Sequence, residues 1–298
     1  MTWRPEPYRD RIALVTGGAS GIGAALGRAL AERGAEVVLA DRQLELAERV
    51  ARSIGPRASA VELDVRDAAA FERVASQLLA RRRRIDLLLN NAGIGVGGEM
   101  DTYCVADWDD VIDVNLRGVA YGIQAVYPSM IRRGSGHIVN TASMAGLCTA
   151  AGHGSYVATK HAVVGLSKAL RVEARRHGVR VSVLCPGVIR TPILRGGTYG
   201  RLNLDGLSEA RLAQVWERFR PMDADAFARG ALDAVARDEA IIVLPRWWKA
   251  LWYLERLSPR LGMALWGSAL DRVRAELEAS GAKPRTAASA PSTVGSTS

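Results

Sequence analysis

Short apolar runs recur along this chain, and most are separated by stretches with helical spacing. RIALVTG (11–17), AEVVLAD (35–41), ASAVELDV (58–65), IDLLLNNAG (85–93), GHIVNTAS (136–143), VRVSVLCPG (179–187) and EAIIVLP (239–245) read as strands. Runs with little apolar/polar alternation need cover on both faces, the situation of a strand inside a parallel sheet. Helical patterns at 21–34, 44–55, 67–82, 105–133 and 155–178 supply that cover. Gly34, Gly55 and Gly178 stop three of these helices, and Asp67 stands near the start of another. Right-handed crossovers then make the fold class α/β, a single doubly wound seven-stranded parallel sheet with helices on both faces. Ligands of such sheets bind beyond the carboxyl ends of the strands, and every motif below falls at one of those ends.

The 298 residues, 48% of them hydrophobic, suffice for one large α/β domain. The opening MTWRPEPYRD is polar, so no secretory signal is expected, and no uninterrupted apolar run is long enough to span a bilayer. Cys104, Cys148 and Cys185 are odd in number and lack metal-ligand spacing. They point to a reduced, cytoplasmic compartment and to no metal. The net charge of +9 raises nucleic acid as a partner. Its one dense run, Arg81 to Arg84, sits at a predicted helix end, where cations favour the negative end of the dipole. No zinc-finger, RNA-binding or basic-zipper pattern accompanies it, so no nucleic-acid partner is expected.

TGGASGIG (16–23) joins the first strand to the first helix. Glycines there allow a tight turn and close backbone approach, and a helix N-terminus offers free N–H groups to a pyrophosphate. Gly17, Ser20, Gly21, Ile22 and Gly23 are the candidate cradle. The general dinucleotide pattern G-x-G-x-x-G fails here, because its third position is Leu26 and the glycine comes one later, at Gly27. Asp41 ends the second strand and can accept from both hydroxyls of an adenosine ribose, which favours NAD over NADP. Arg42 beside it can instead hold a 2′-phosphate. Asp64, with Val65 next to it, can reach an adenine amino group or serve as a helix cap or turn residue.

Lysine is scarce: only 160, 168, 249 and 283 among 40 basic residues. One of the four, Lys160, follows Tyr156 by a single helical turn in SYVATK, so the two share a helix face. An adjacent ammonium favours tyrosinate and is expected to lower the tyrosine pKa toward the range where a general acid/base works.

The sequence resembles the short-chain dehydrogenase/reductase family over about residues 10 to 245. TGGASGIG fits that family's T-G-x-x-x-G-x-G motif, and NNAG (90–93), Asn115 in VNLRG, Ser143 in NTAS, Tyr156 and Lys160 in YVATK, and PGVIRT (186–191) follow in family order. The resemblance implies a Rossmann sheet and hydride transfer between a nicotinamide and a secondary alcohol or ketone. It implies Tyr156 as general acid/base, Lys160 on the nicotinamide ribose, Ser143 donating to the substrate oxygen and Asn115 holding a relay water. It also implies cofactor contacts at Asn90 near the adenosine ribose, at Asn91, Ala92 and Gly93, and at Pro186, Gly187, Ile189 and Thr191. A homodimer or homotetramer through helices 105–133 and 155–178 is implied as well. His153 is either a substrate contact or a solvent-facing loop residue, and Cys148 either lines the pocket or is a small buried cysteine.

Residues 193–220 read as a mobile substrate loop. Beyond the catalytic domain (1–245), a segment at 246–279 holds four of the seven tryptophans and reads as two helices split near Ser258-Pro259. Packing on its own domain or on a partner subunit is the favoured reading, ahead of a cover over an apolar pocket or contact with a membrane surface. Residues 280–298 are expected to be disordered. The expected activity is therefore an NAD(H)-dependent alcohol dehydrogenase or ketone reductase with an apolar substrate. The alternatives are an NADP(H)-dependent carbonyl reductase of the same fold and a non-catalytic dinucleotide-binding regulator.

Overall fold

The structure, a computed structural model, describes residues 7–196, 199–205, 209–279 and 283–284. The expected disordered tail lies outside the described residues except at 283–284, as do 197–198 and 206–208 of the expected substrate loop. In chain order the elements are β1 (Ile12–Thr16), α1 (Gly21–Glu32), β2 (Glu36–Asp41), α2 (Leu44–Ile54), β3 (Ala58–Glu62), α3 (Ala68–Arg82), β4 (Leu87–Asn90), β5 (Gly95–Gly97) and α4 (Val105–Ile112). Then come α5 (Gly118–Arg133), β6 (Gly136–Thr141), α6 (Gly154–Ala174), β7 (Val179–Pro186), β8 (Gly200–Leu202), β9 (Leu204–Asp205), α7 (Glu209–Glu217), α8 (Ala224–Ala236), β10 (Ile241–Leu244), α9 (Trp248–Leu257), α10 (Pro259–Ala279) and β11 (Lys283–Pro284).

The central sheet has seven strands in the order β10-β7-β6-β4-β1-β2-β3, and every neighbouring pair is parallel. Successive side chains of a strand point to opposite faces. Leu14, Leu88, Ile138 and Val243 therefore enter one core layer, with Phe71 of α3. Ala13, Val15, Leu87, Leu89, Val139 and Ile242 enter the other, with Phe227 of α8. Full burial of each large apolar side chain contributes about 1.5–3 kcal/mol. Strand order reverses between β4 and β1, which opens a crevice at their carboxyl ends.

Several elements depart from the sequence reading. The third strand stops at Glu62 rather than 65, because the Asp64 carboxylate accepts from Arg66 N at 3.0 Å and turns the chain. The long helix at 105–133 is interrupted by a π turn, Asp113–Arg117. Such turns often mark functional positions, and Asn115 lies at the middle of this one. The helix at 155–178 closes with a 3-10 turn, Arg175–His177, before Gly178. Helix α8 went unread although its buried residues recur at helical spacing, and the Asp223 side chain caps it by accepting from Ala226 N at 2.8 Å.

The segment read as a loop carries β8, β9 and α7. β8 pairs with β5, and Arg201, which is 12% exposed, forks onto Asp107 at 2.7 Å and Asp110 at 2.8 Å. Breaking such a buried pair would strand a charge, so this part of the loop is fixed to α4. The C-terminal helices form as expected, on either side of Ser258-Pro259. Trp248 belongs to the main core, and Leu251, Trp252 and Trp266 pack against it.

Candidate active site

One cleft of about 480 Å³ runs along the carboxyl ends of β1, β4, β6 and β7. Its first wall is the turn after β1. Gly17 has φ +66°, and a Cβ there would come within 2.8 Å of Ala92 Cα. A Cβ on Gly23 would overlap the Gly17 carbonyl, so Gly23 shapes the turn from beneath and does not itself line the cleft. The Ser20 side chain caps nothing in α1, and no acidic residue occupies that helix's first turn. The first-turn N–H groups of α1 are thus left for an anion. Ser20, Gly21 and Ile22 line the cleft beside them.

Asp41 and Arg42 stand at the rim. Asp41 Oδ2 accepts from Ala19 N and Oδ1 from Gln43 N, each at 3.0 Å, which fixes the carboxylate while each oxygen keeps capacity for a further donor. Burial raises the pKa of Asp64, but its bonds to Arg66 outweigh that and hold it below the usual carboxylate range. Val65 and Asp64 both line the cleft.

Thr16 organises the next wall, a role the sequence reading did not assign. Its hydroxyl accepts from Asn91 N at 2.9 Å and Ala92 N at 3.1 Å, and its carbonyl accepts from Asn91 Nδ2 at 3.1 Å. Asn91, Ala92 and Gly93 line the cleft as expected. The Asn90 side chain does not. It is buried in the core, where Nδ2 donates to Asn140 Oδ1 at 2.9 Å, because β-strand alternation turns it away from its neighbour Asn91.

The chemical end lies between β6, α6 and β7. The Ser143 hydroxyl stands beside the Tyr156 phenol and favours its phenolate, while Ser143 Oγ accepts from Ala145 N at 3.1 Å. Lys160 Nζ lies 5.4 Å from the centroid of the Tyr156 ring and donates to the Thr141 carbonyl at 2.8 Å. Burial pushes the Lys160 pKa down to about 8. Tyr156 departs from the sequence expectation. Burial raises its pKa, the Ser143 bond pulls it back and Cys185 adds to the rise, so the net direction is upward. The physical reason is that the ammonium is aimed at the Thr141 carbonyl, while desolvation penalises the phenolate directly.

Asn115 is wholly buried and uses both ends of its amide on Ile94: Oδ1 accepts from Ile94 N and Nδ2 donates to Ile94 O, each at 2.9 Å. A Cβ on Gly93 would stand 3.3 Å from Asn115 Oδ1 and 3.5 Å from Lys160 Nζ, so the two side chains flank that glycine. Asn115 thus holds the backbone rather than facing the cleft.

Pro186, Gly187, Ile189 and Thr191 line the far wall. Trp248 packs so closely on Gly187 that any Cβ there would overlap its indole nitrogen. His153 lines the cleft, its ring 6.1 Å from that of Trp216. Cys148 is buried, and burial together with Glu255 pushes its thiol up to about 12. Trp216, Phe219, Trp266, Leu270 and Val273 complete an apolar roof. The indole N–H groups of Trp216 and Trp248 are buried without an acceptor among the described residues. Among those residues no cluster of His, Cys, Asp or Glu has metal-binding geometry.

The family profile described as short chain dehydrogenase matches residues 11–198. Levodione reductase of Leifsonia aquatica is 38% identical over 193 residues, 63% of this chain and 72% of that protein. The 2,5-dichloro-2,5-cyclohexadiene-1,4-diol dehydrogenase LinX of Sphingobium indicum is 38% identical over 186 residues, 61% of this chain and 74% of that one. The crystal structure of a short chain dehydrogenase/reductase from Burkholderia phymatum in complex with NAD superposes with a TM-score of 0.75 at 29% identity, covering 86% of this chain and 96% of that one.

Proposed function

The chain belongs to the short-chain dehydrogenase/reductase family of NAD(P)-dependent oxidoreductases, and on that premise we propose that it interconverts a secondary alcohol and its ketone, with Tyr156 as general acid/base. The carrying observation is the Ser143–Tyr156–Lys160 arrangement facing a glycine cradle across one cleft. The residues present fit a dinucleotide. Gly17, Ser20, Gly21 and Ile22 would hold its pyrophosphate on the uncapped α1 N-terminus, Asp41 the adenosine ribose, and Ile189 and Thr191 the carboxamide. The bound nicotinamide supplies the hydride donor or acceptor.

The protein's own groups handle the proton. Tyr156 gives a proton to a ketone oxygen or takes one from an alcohol. Ser143 donates toward the same oxygen and steadies the charge that develops there. Lys160, whose pKa of about 8 lies close to neutral pH, exchanges protons behind Tyr156 and carries positive charge under its ring. Asn115 is a positioning residue: it fixes Ile94 and with it the wall beside Gly93.

The substrate class follows from the roof. Trp216, Phe219, Trp266 and Leu270 call for apolar bulk, and the orphan indole N–H groups of Trp216 and Trp248 suit a second oxygen on it. LinX is named for a ring diol, which is of this class.

NAD is the proposed dinucleotide because the Asp41 carboxylate stands at the rim and disfavours a 2′-phosphate. Arg42, beside it on the same rim, supports the NADP reading. Titration of the full-length protein with NAD and NADP, followed by nicotinamide absorbance with ring alcohols and ketones, tests both points. Asp41→Ala is expected to raise NADP use at the expense of NAD. An unchanged preference would overturn the assignment of Asp41, and dinucleotide binding without turnover across the panel would favour a regulator.

A further inference from the structure

The C-terminal helices turn one face to the cleft and the other to solvent, and we propose that the outer face is a docking surface for an anionic lipid bilayer. Trp248, Trp266 and Leu270 are on the inner side, where they line the cleft. Nine large hydrophobic side chains are exposed among the described residues, and six of them fall in the C-terminal helical segment: Trp247, Tyr253, Leu257, Leu261, Met263 and Leu265. Leu257, at the corner between α9 and α10, is 87% exposed. Such a concentration of exposed apolar side chains in one segment marks a contact surface, whereas scattered exposed residues would need no explanation.

Charge identifies the occupant. Arg246, Arg256 and Arg260 are exposed around this patch, and Lys249 is partly so. None of the four makes an ion pair among the described residues; Arg256 lies over the Trp252 ring, 5.8 Å from its centroid. The one acid between 246 and 265 is Glu255. It is turned inward, where its carboxylate accepts from Thr149 N at 2.8 Å and Thr149 Oγ1 at 2.8 Å. The outer face therefore offers apolar and aromatic side chains with uncompensated positive charge. That combination suits the headgroup zone, where aromatic rings sit at the interface and Lys or Arg stems reach phosphate.

A second copy of the chain fits worse. A two-fold interface would set this positively charged patch against its own copy. No helix among the described residues is long and apolar enough to cross a membrane, so contact would be along the surface. Since α10 is both roof and anchor, an apolar substrate dissolved in the leaflet would meet the cleft without passing through water. This last step rests on the oxidoreductase reading; the docking surface does not.

Flotation of the full-length protein tests the surface without any turnover assay. Vesicles of phosphatidylcholine are compared with an equal mixture of phosphatidylcholine and phosphatidylglycerol. The protein is expected to float with the mixture only. Arg256→Gln/Arg260→Gln should weaken binding about 25-fold, at about 5-fold per charge near the surface. Arg81→Gln/Arg83→Gln removes equal charge from another surface and should leave binding nearly unchanged. Leu257→Ser/Leu261→Ser should abolish flotation while dinucleotide titration stays as in the parent. Three outcomes would overturn the proposal: no flotation with the mixture, equal loss from both arginine pairs, or a serine pair that splits an oligomer in light scattering without affecting lipid binding.

Discussion

The floor and the roof of the cleft are built on opposite principles. The floor is polar, buried and tied to backbone: Thr16 holds Asn91 and Ala92, Asn115 holds Ile94, and Lys160 holds the Thr141 carbonyl. Each of these side chains is no more than 2% exposed. The roof is apolar and is fastened in part by ion pairs at the surface, Arg274 with Glu99 and Arg218 with Glu276. Surface pairs contribute little, about 0–1 kcal/mol, whereas stranding a buried polar group costs more. The contrast assigns fixed geometry to the chemical step and an adjustable cover to the choice of substrate. Positioning is worth most where a proton must move over hydrogen-bond distance.

The comparison can be broken most severely at the floor. Tyr156→Phe removes only a hydroxyl, so kcat should fall about 100- to 10,000-fold while dinucleotide affinity in a fluorescence titration stays near that of the parent. A parent-like kcat would dissolve the distinction between the two regions.

Lys160 sharpens it. Its folded pKa of about 8 lies below the unfolded value of 10.5, so between those values the unfolded chain holds a proton that the folded chain has released. Stability therefore rises with pH across that window, and the burial penalty is fully present below it. The integrated effect is on the order of 3 kcal/mol. Lys160→Met should lack this rise, which denaturant melts of parent and variant from pH 7 to 10.5 would reveal as a gap that closes with pH.

The roof should answer differently. Trp266→Ala is expected to raise KM about 10-fold with kcat nearly unchanged, since it removes apolar contact common to ground and transition states. A fall in kcat instead would make the roof part of the chemistry. Arg274→Gln should have the smallest effect, a slight loss in thermal melts that fades further at high salt.

Much of the floor was legible in the sequence. Gly17 and Gly21 of the first turn, Asp41, Ser143, Tyr156, Lys160, Pro186, Gly187, Ile189 and Thr191 all reach the cleft, because local spacing places each at the end of a strand or on one helix face. Asn90 and Asn115 were read as facing the cofactor or its proton relay, and both turn out to hold neighbouring structure. A motif names the residue type at a position, but only packing decides which way the side chain points. Thr16 stood inside a motif already singled out, and its role depends on a loop 75 residues away.

The alternation of apolar runs and helical patterns was enough to determine the doubly wound sheet, since strands buried on both faces admit few other arrangements. Three things waited for the tertiary structure. The rise in the Tyr156 pKa depends on burial by groups distant in sequence. The anchoring of 200–203 depends on Asp107 and Asp110, which lie more than 90 residues away. The two faces of α9 and α10 look alike in a list of tryptophans, leucines and arginines, and only docking onto Gly187 and Thr149 decides which residues enter the cleft and which remain in water. Desolvation and long-range pairing are properties of the assembled core, so no local window of sequence carries them.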